Sequence, residues 1–134
     1  MSEPILLEVL TAERRVFAAQ VSELQFLTAT LGYYGILPGH TPLVTPLGDG
    51  LLTYTQRGEK HGLTVFGGFA EVGPDHVVIL ANQSETPDML DADQVRKEHQ
   101  QALLACKEVL NPEDQEAAQK ALNIAEVRLQ ALGS

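Results

Sequence analysis

The side chains best suited to acid–base work or metal binding are four histidines, His40, His61, His76 and His99. None has a Cys or carboxylate at the spacing of a metal-ligand motif, so polar or packing roles are expected and no metal site is assigned. The single cysteine, Cys106, falls on the apolar stripe of a helical segment, where a thiol behaves as a small hydrophobe. The acids Asp88, Asp91 and Asp93 crowd a helix start. Capping and dipole compensation account for them, since no calcium-loop spacing is present. Ser22, Ser84 and Ser134 lack the Gly-x-Ser-x-Gly setting of an activated nucleophile. Gly67-Gly68-Phe69 runs into strand-like residues, not a helix, so it reads as a bend and not a phosphate loop. The chain therefore offers no self-contained catalytic constellation, and no enzymatic activity is expected of it.

Chemistry of another kind is visible in Gly35-Ile36-Leu37-Pro38-Gly39-His40-Thr41-Pro42-Leu43. Two prolines fix φ and remove N–H donors. Two glycines allow backbone angles closed to other residues. The result is a shaped, semi-rigid apolar connection. Just before it, Leu31-Gly32-Tyr33-Tyr34 is apolar, flanked by glycine and loop-like. Loops run over the surface, and exposed apolar patches mark protein contacts. Leu31, Tyr33, Tyr34, Ile36, Leu37 and His40 are the candidate partner-binding residues; the alternative is that they fold back into a core.

The elements that must position this segment divide into two regimes, with a border near Thr86-Pro87-Asp88. The first reads as short strands at residues 5–9, 15–21, 23–30, 43–47, 51–55, 62–66, 69–72 and 76–81. Such strands at roughly 8–12-residue spacing, punctuated by turns, argue for a sandwich or barrel. Val16, Ala18 and Val21 are candidate core contacts, and Leu24, Phe26 and Thr28 share one face. Gly48-Asp49-Gly50 and Gly73-Pro74-Asp75 read as turns, and Gln56-Arg57-Gly58-Glu59-Lys60 as a hairpin tip. The second regime reads as a helical hairpin. Asp91 caps the first helix, whose apolar stripe is Val95, His99, Ala102, Leu103, Cys106, Val109 and Leu110. Asn111-Pro112 restarts a helix whose stripe is Ala118, Ala121, Leu122, Ala125, Leu129 and Leu132. A short loop makes the two helices antiparallel. Their narrow stripes bury little, so this hairpin is expected to be the less stable part. The fold class is thus α+β: a β-sandwich domain over residues 1–87, then an antiparallel two-helix domain over 88–134.

The 134 residues carry 44% hydrophobic side chains, no Trp and a formal charge of −9. The core must be aliphatic. The charge argues against nucleic acid or an anionic bilayer as the main partner. One cysteine permits no internal disulfide, which suits a reducing compartment. Met1-Ser2-Glu3-Pro4 is not a secretory start, and no apolar run is long enough to cross a bilayer. Any link to a membrane is expected to come through a partner, without direct insertion.

The Gly35–Leu43 motif, followed by Gly67-Gly68-Phe69-Ala70-Glu71-Val72 and Val77-Val78-Ile79-Leu80-Ala81, resembles the epsilon subunit of F-type ATP synthases. The match in order and spacing runs from about residue 5 to 86, and the helical pair fits beyond it. The resemblance implies a flattened sandwich of roughly ten strands and a two-helix C-terminal domain. It implies a central-stalk rotor subunit that catalyses nothing itself. In that family the sandwich binds the gamma subunit and sits on the c-ring, coupling proton-driven rotation to ATP synthesis, and the same is expected here. Its helices can extend toward the alpha and beta subunits and restrain ATP hydrolysis. The implied location is peripheral, on the cytoplasmic face of the bacterial inner membrane or its thylakoid equivalent. Relatives commonly carry an acid where Tyr33 stands, so a less electrostatic ring contact is expected here. Some relatives bind ATP through Ile/Leu-Asp-x-x-Arg-Ala; in Ala92-Asp93-Gln94-Val95-Arg96-Lys97, Asp93 and Arg96 fit while Ala92 and Lys97 depart. With Glu85, these are the nucleotide-site candidates of an alternative reading, an ATP-sensing module. From Asp88 onward there are nine acids and five bases, too acidic for a strong ionic clamp on an acidic partner.

Overall fold

The computed structural model describes residues 4–108 and 111–133. Eight strands come first: β1 (Ile5–Leu10), β2 (Arg15–Val21), β3 (Glu23–Thr28), β4 (Gly32–Ile36), β5 (Leu43–Pro46), β6 (Asp49–Gln56), β7 (Glu59–Val72) and β8 (His76–Glu85). A 3₁₀ turn at Pro87–Met89 leads to α1 (Ala92–Cys106) and α2 (Pro112–Leu132). The hydrogen-bonded order is β2-β1-β8-β7-β6-β3-β4, with β5 paired to β7. All pairs are antiparallel except β1 with β8. The sheet folds back on itself, so that β2 meets β6: the Ser22 amide donates to the Thr55 carbonyl at 2.9 Å, and the Phe17 and Tyr54 rings lie 4.8 Å apart.

Leu7, Val9, Leu52, Leu63, Val77 and Ile79 are fully enclosed between the layers. Each such side chain contributes about 1.5–3 kcal/mol through removal from water. The alternation expected of β3 holds, with Leu24, Phe26 and Thr28 all buried. That of β2 is shifted. Val21, Ala19 and Phe17 stand opposite the buried Ile5, Leu7 and Val9, and cross-strand partners share a face. Ala18 is therefore exposed. An irregularity between Val9 and Leu10 displaces Val16, which still packs on the core.

β7 organises the sandwich. Its 14 residues pair with β8 on one side and with β5 and then β6 on the other. β5 and β6 keep one register along it, so Gly48-Asp49-Gly50 is a break in a single line of pairing and not a hairpin turn. The break, Leu47-Gly48, faces Gly67-Gly68, where both glycines have positive φ (66° and 102°). A Cβ on Gly68 would lie 1.9 Å from the Leu80 carbonyl oxygen, so only glycine permits this close approach. The β7–β8 ladder is also interrupted at Gly67 and Asn82. Counting each of these two long strands on both sides of the interruption turns eight strands into ten. Arg57-Gly58, both at positive φ (52° and 77°), makes the two-residue β6–β7 hairpin turn.

Asp91 caps α1 by accepting from the Asp93 and Gln94 amides, and Asn111 caps α2 by accepting from Asp114. α1 packs on α2, and α2 packs on β6 and β7. The middle helix needs two apolar sides. Ala118, Leu122 and Ala125 form one, while Val127 and Ala131 are buried on another, flanking Arg128, which reaches the sheet. The sequence stripe contains only the first side. Ala121 and Leu103, assigned to stripes, are exposed, because α1 has one partner and needs only Val95 and Ala102 fully buried. Val109 and Leu110 lie outside the described residues, as does Ser134.

Candidate functional site

The first candidate surface is the β3–β4 end of the sandwich. Residues 32–36, expected as loop, form the edge strand β4, paired from Thr28–Gly32 to Leu24–Ile36. Alternation then sorts the predicted contacts. Ile36 is 1% exposed and belongs to the core, so it supports this surface from beneath and cannot meet a partner. Tyr34 is half-buried, with its ring 6.5 Å from that of Phe26. Leu31, Tyr33 and Leu37 are 70%, 51% and 60% exposed. They are the large apolar residues that this end presents to solvent.

Two braces shape the end. The Thr28 hydroxyl donates to the Gly32 carbonyl at 2.7 Å and accepts from the Leu31 amide at 2.8 Å. The His40 ring lies edge-on to Tyr34, with Nε2 3.3 Å from the phenol oxygen and Nδ1 2.6 Å from the Thr41 carbonyl oxygen. A carbonyl only accepts, so Nδ1 carries a proton, and in the neutral ring Nε2 accepts from Tyr34. The Gly39 amide, at φ 81°, donates to the Pro74 carbonyl at 2.8 Å. The Gly-Pro segment is thus anchored to β4 and to the β7–β8 turn. Beside Leu37 lies an open cleft of about 290 Å³, edged by Glu23, Gln25, Gly35, Thr53 and Lys60.

A second surface escaped the sequence reading. Pro46, Phe69, Leu80 and Leu10 are successive cross-strand partners over β5, β7, β8 and β1. They form an apolar row on the outward side, with Val44 beside it; Val44, Pro46, Phe69 and Leu80 are exposed. The sign was available: Val77-Val78-Ile79-Leu80-Ala81 does not alternate, and a strand apolar on both sides expects cover on both.

The nucleotide-site candidates separate. The Glu85 carboxylate receives Arg128 Nε at 3.0 Å and Nη2 at 2.9 Å, a bidentate pair, and the Thr64 hydroxyl at 3.1 Å. Both charged side chains are largely buried, at 15% for Glu85 and 17% for Arg128, and the guanidinium lies 5.7 Å from the centre of the Phe66 ring. Asp93 and Arg96 pair with each other at 2.7 Å on the exposed side of α1. Arg128 was the partner that sequence could not supply, since it lies 43 positions from Glu85. His61 stands near Glu59, His76 near Asp75, and His99 reaches Glu126 across the helical pair. Cys106 is partly buried. Burial pushes the Tyr54 phenol above its ordinary value. Among the described residues no three of His, Cys, Asp and Glu gather as a metal would require.

Two exposed apolar surfaces on one small sandwich define a chain built to sit against other chains. A family model described as the beta-sandwich domain of the ATP synthase Delta/Epsilon chain matches residues 5–87. The ATP synthase epsilon chain of Solibacter usitatus is 41% identical over 112 residues, covering 84% of this chain and 81% of that one. That of Moorella thermoacetica is 36% identical over 129 residues, 96% of each chain. A chain in the structure of the Euglena gracilis mitochondrial ATP synthase, OSCP/F1/c-ring, superposes with a TM-score of 0.79 at 23% identity, covering 98% of this chain and 82% of that one. This last likeness speaks to fold. The protein belongs to the ATP synthase epsilon-chain family.

Proposed function

We propose that this chain is a non-catalytic rotor subunit of the central stalk, coupling c-ring rotation to ATP synthesis through contacts with the gamma subunit and the ring. The observation that carries the reading is the pair of exposed apolar surfaces on a member of this family. Leu31, Tyr33 and Leu37 suit the ring side, with Tyr34 and His40 behind them. The row through Phe69 and Leu80 suits gamma. Among the described residues no helix is long and apolar enough to cross a membrane. Attachment through partners to the cytoplasmic face of a bacterial membrane, or its thylakoid equivalent, fits that.

The working division is a sandwich at residues 1–87 and a regulatory hairpin at 88–134. The hairpin rests on β6 and β7, held by Glu85 and Arg128. Released, it could reach the alpha and beta subunits and restrain hydrolysis. An ATP-sensing role finds less support, because Glu85 is already engaged by Arg128 and Thr64. ATP hydrolysis by the whole complex, with and without residues 88–134, tests the regulatory part. The truncated complex is expected to hydrolyse faster; equal rates would remove that role. Failure of the full chain to co-purify with gamma and the c-ring would remove the rotor role itself.

A further inference from the structure

The chain has two methionines, Met1 and Met89. Met89 closes the 3₁₀ turn at Pro87–Met89, the link between β8 and the helical pair. It is 37% exposed, and its thioether is used as an acceptor. The Thr86 amide donates to Sδ at 3.5 Å, and Arg14 Nη2 donates to it at 3.8 Å. Arg14 lies 75 positions away. It sits in the turn between β1 and β2, which the Thr11 amide closes by donating to the Arg14 carbonyl at 2.9 Å. The Pro87–Met89 turn also touches α2. One sulfur thus ties the link to the rim of the sandwich on one side and stands beside the hairpin on the other. Met89 and Arg14, with Thr11, Asn82 and Gln83, edge an open polar cleft of about 440 Å³. Small polar solutes therefore reach this sulfur from water.

A thioether is a weak acceptor. The oxygen of its sulfoxide carries partial negative charge and is a strong one. Oxidation by hydrogen peroxide balances without a further reagent. An Sδ lone pair attacks one peroxide oxygen, the O–O bond breaks as the S–O bond forms, and the departing hydroxide takes up the remaining proton and leaves as water. Sulfur loses two electrons and the peroxide gains them. In an apolar core the new oxygen would be costly. Here it emerges into a polar cleft. The Thr86 donor belongs to the same tight turn and keeps its lone pair, whereas Arg14 is a long, exposed side chain that can step back. The added oxygen therefore takes the Arg14 side. A weak N–H···S contact becomes a charge-assisted N–H···O bond.

We propose that Met89 is a modification site for hydrogen peroxide, and that its sulfoxide tightens the clasp of Arg14 on the link and so holds the helical pair against the sandwich. The consequence for regulation rests on the hairpin reading above; the modification and the clasp do not. The test treats the full chain with dilute hydrogen peroxide, locates the added oxygen by peptide mass spectrometry and follows amide hydrogen exchange. Met89 should gain one oxygen under conditions that oxidise a free methionine peptide. Exchange of the Leu90 amide, which donates to the Pro87 carbonyl at 3.1 Å, should then slow. The slowing should be about fivefold there and in the α2 amides. Methionine sulfoxide reductases should reverse it. Arg14→Ala, at an exposed position, should still be oxidised at Met89 but lose the slowing. Met89→Leu should show neither response. Resistance of Met89 to peroxide would overturn the modification site. Exchange that stays the same or quickens after oxidation, or that slows equally in Arg14→Ala or Met89→Leu, would overturn the clasp. Equal hydrolysis rates with and without residues 88–134 would instead remove the regulatory reading and leave these two results standing.

Discussion

The Glu85–Arg128 pair is the most consequential side-chain contact between the hairpin and the sandwich. Each partner is mostly out of water, so neither is stable alone there. Thr64 and the Phe66 ring complete the setting on the sheet side. Arg128→Met leaves the Glu85 carboxylate without its counter-ion and should weaken docking of α2 by about 2–3 kcal/mol. Faster hydrogen exchange of the α2 amides would report this. Adding Glu85→Gln to Arg128→Met should cost little more than the single change, because the two side chains act as one unit. Strictly additive losses would mean that each side chain makes its contribution elsewhere. The exposed Asp93–Arg96 pair is a contrasting case. It joins neighbours on one helix face in full solvent, where such pairs contribute about 0.3–0.5 kcal/mol.

At the scale of elements, the bend in β7 has the sharpest energetic signature. Gly68→Ala would drive a Cβ into the Leu80 carbonyl at a φ of 102°. Its unfolding free energy in urea should fall by about 3 kcal/mol. Gly35→Ala meets nothing within 4 Å on an edge strand and should stay within about 0.5 kcal/mol of the parent. Similar losses at both glycines would argue against a special role for the bend. These elements also show what the residues announce in advance. Leu24, Phe26 and Thr28 reveal their common face because one side of β3 is wet. Asp91 and Asn111 reveal the helix starts because capping is local chemistry. Gly48-Asp49-Gly50 misleads, since the glycines that make turns also mark a strand broken opposite another bend. Val127 and Ala131 are silent in the stripe of α2 because their burial depends on where that helix docks. The Phe69–Leu80 row is hidden because an outward apolar residue and a core residue look alike until the register is known. Ile36 reads as a surface contact for the related reason that strand parity, which the sequence of this segment does not reveal, decides its side.

Across the whole molecule, the core of the sandwich is complete without the helices: Ile5, Leu7, Val9, Leu63, Val77 and Ile79 pack within one cluster to which neither helix contributes a residue. A chain ending after Pro87 should therefore fold, with a cooperative melt and a strand-type circular dichroism spectrum. Its midpoint should fall, because β6 and β7 lose the cover of α2. A non-cooperative melt would show that the hairpin is needed to complete the fold. The long β7 strand gives the molecule a further mechanical character. It borders β5 and β6 on one flank and β8 on the other, and β5 and β6 keep the same register along it on either side of the break. It is thus a spar running along the sandwich, bent at Gly67-Gly68. A twisting force entering at the β3–β4 end would pass through β6 into this spar as shear across hydrogen bonds, which yield together and not one at a time.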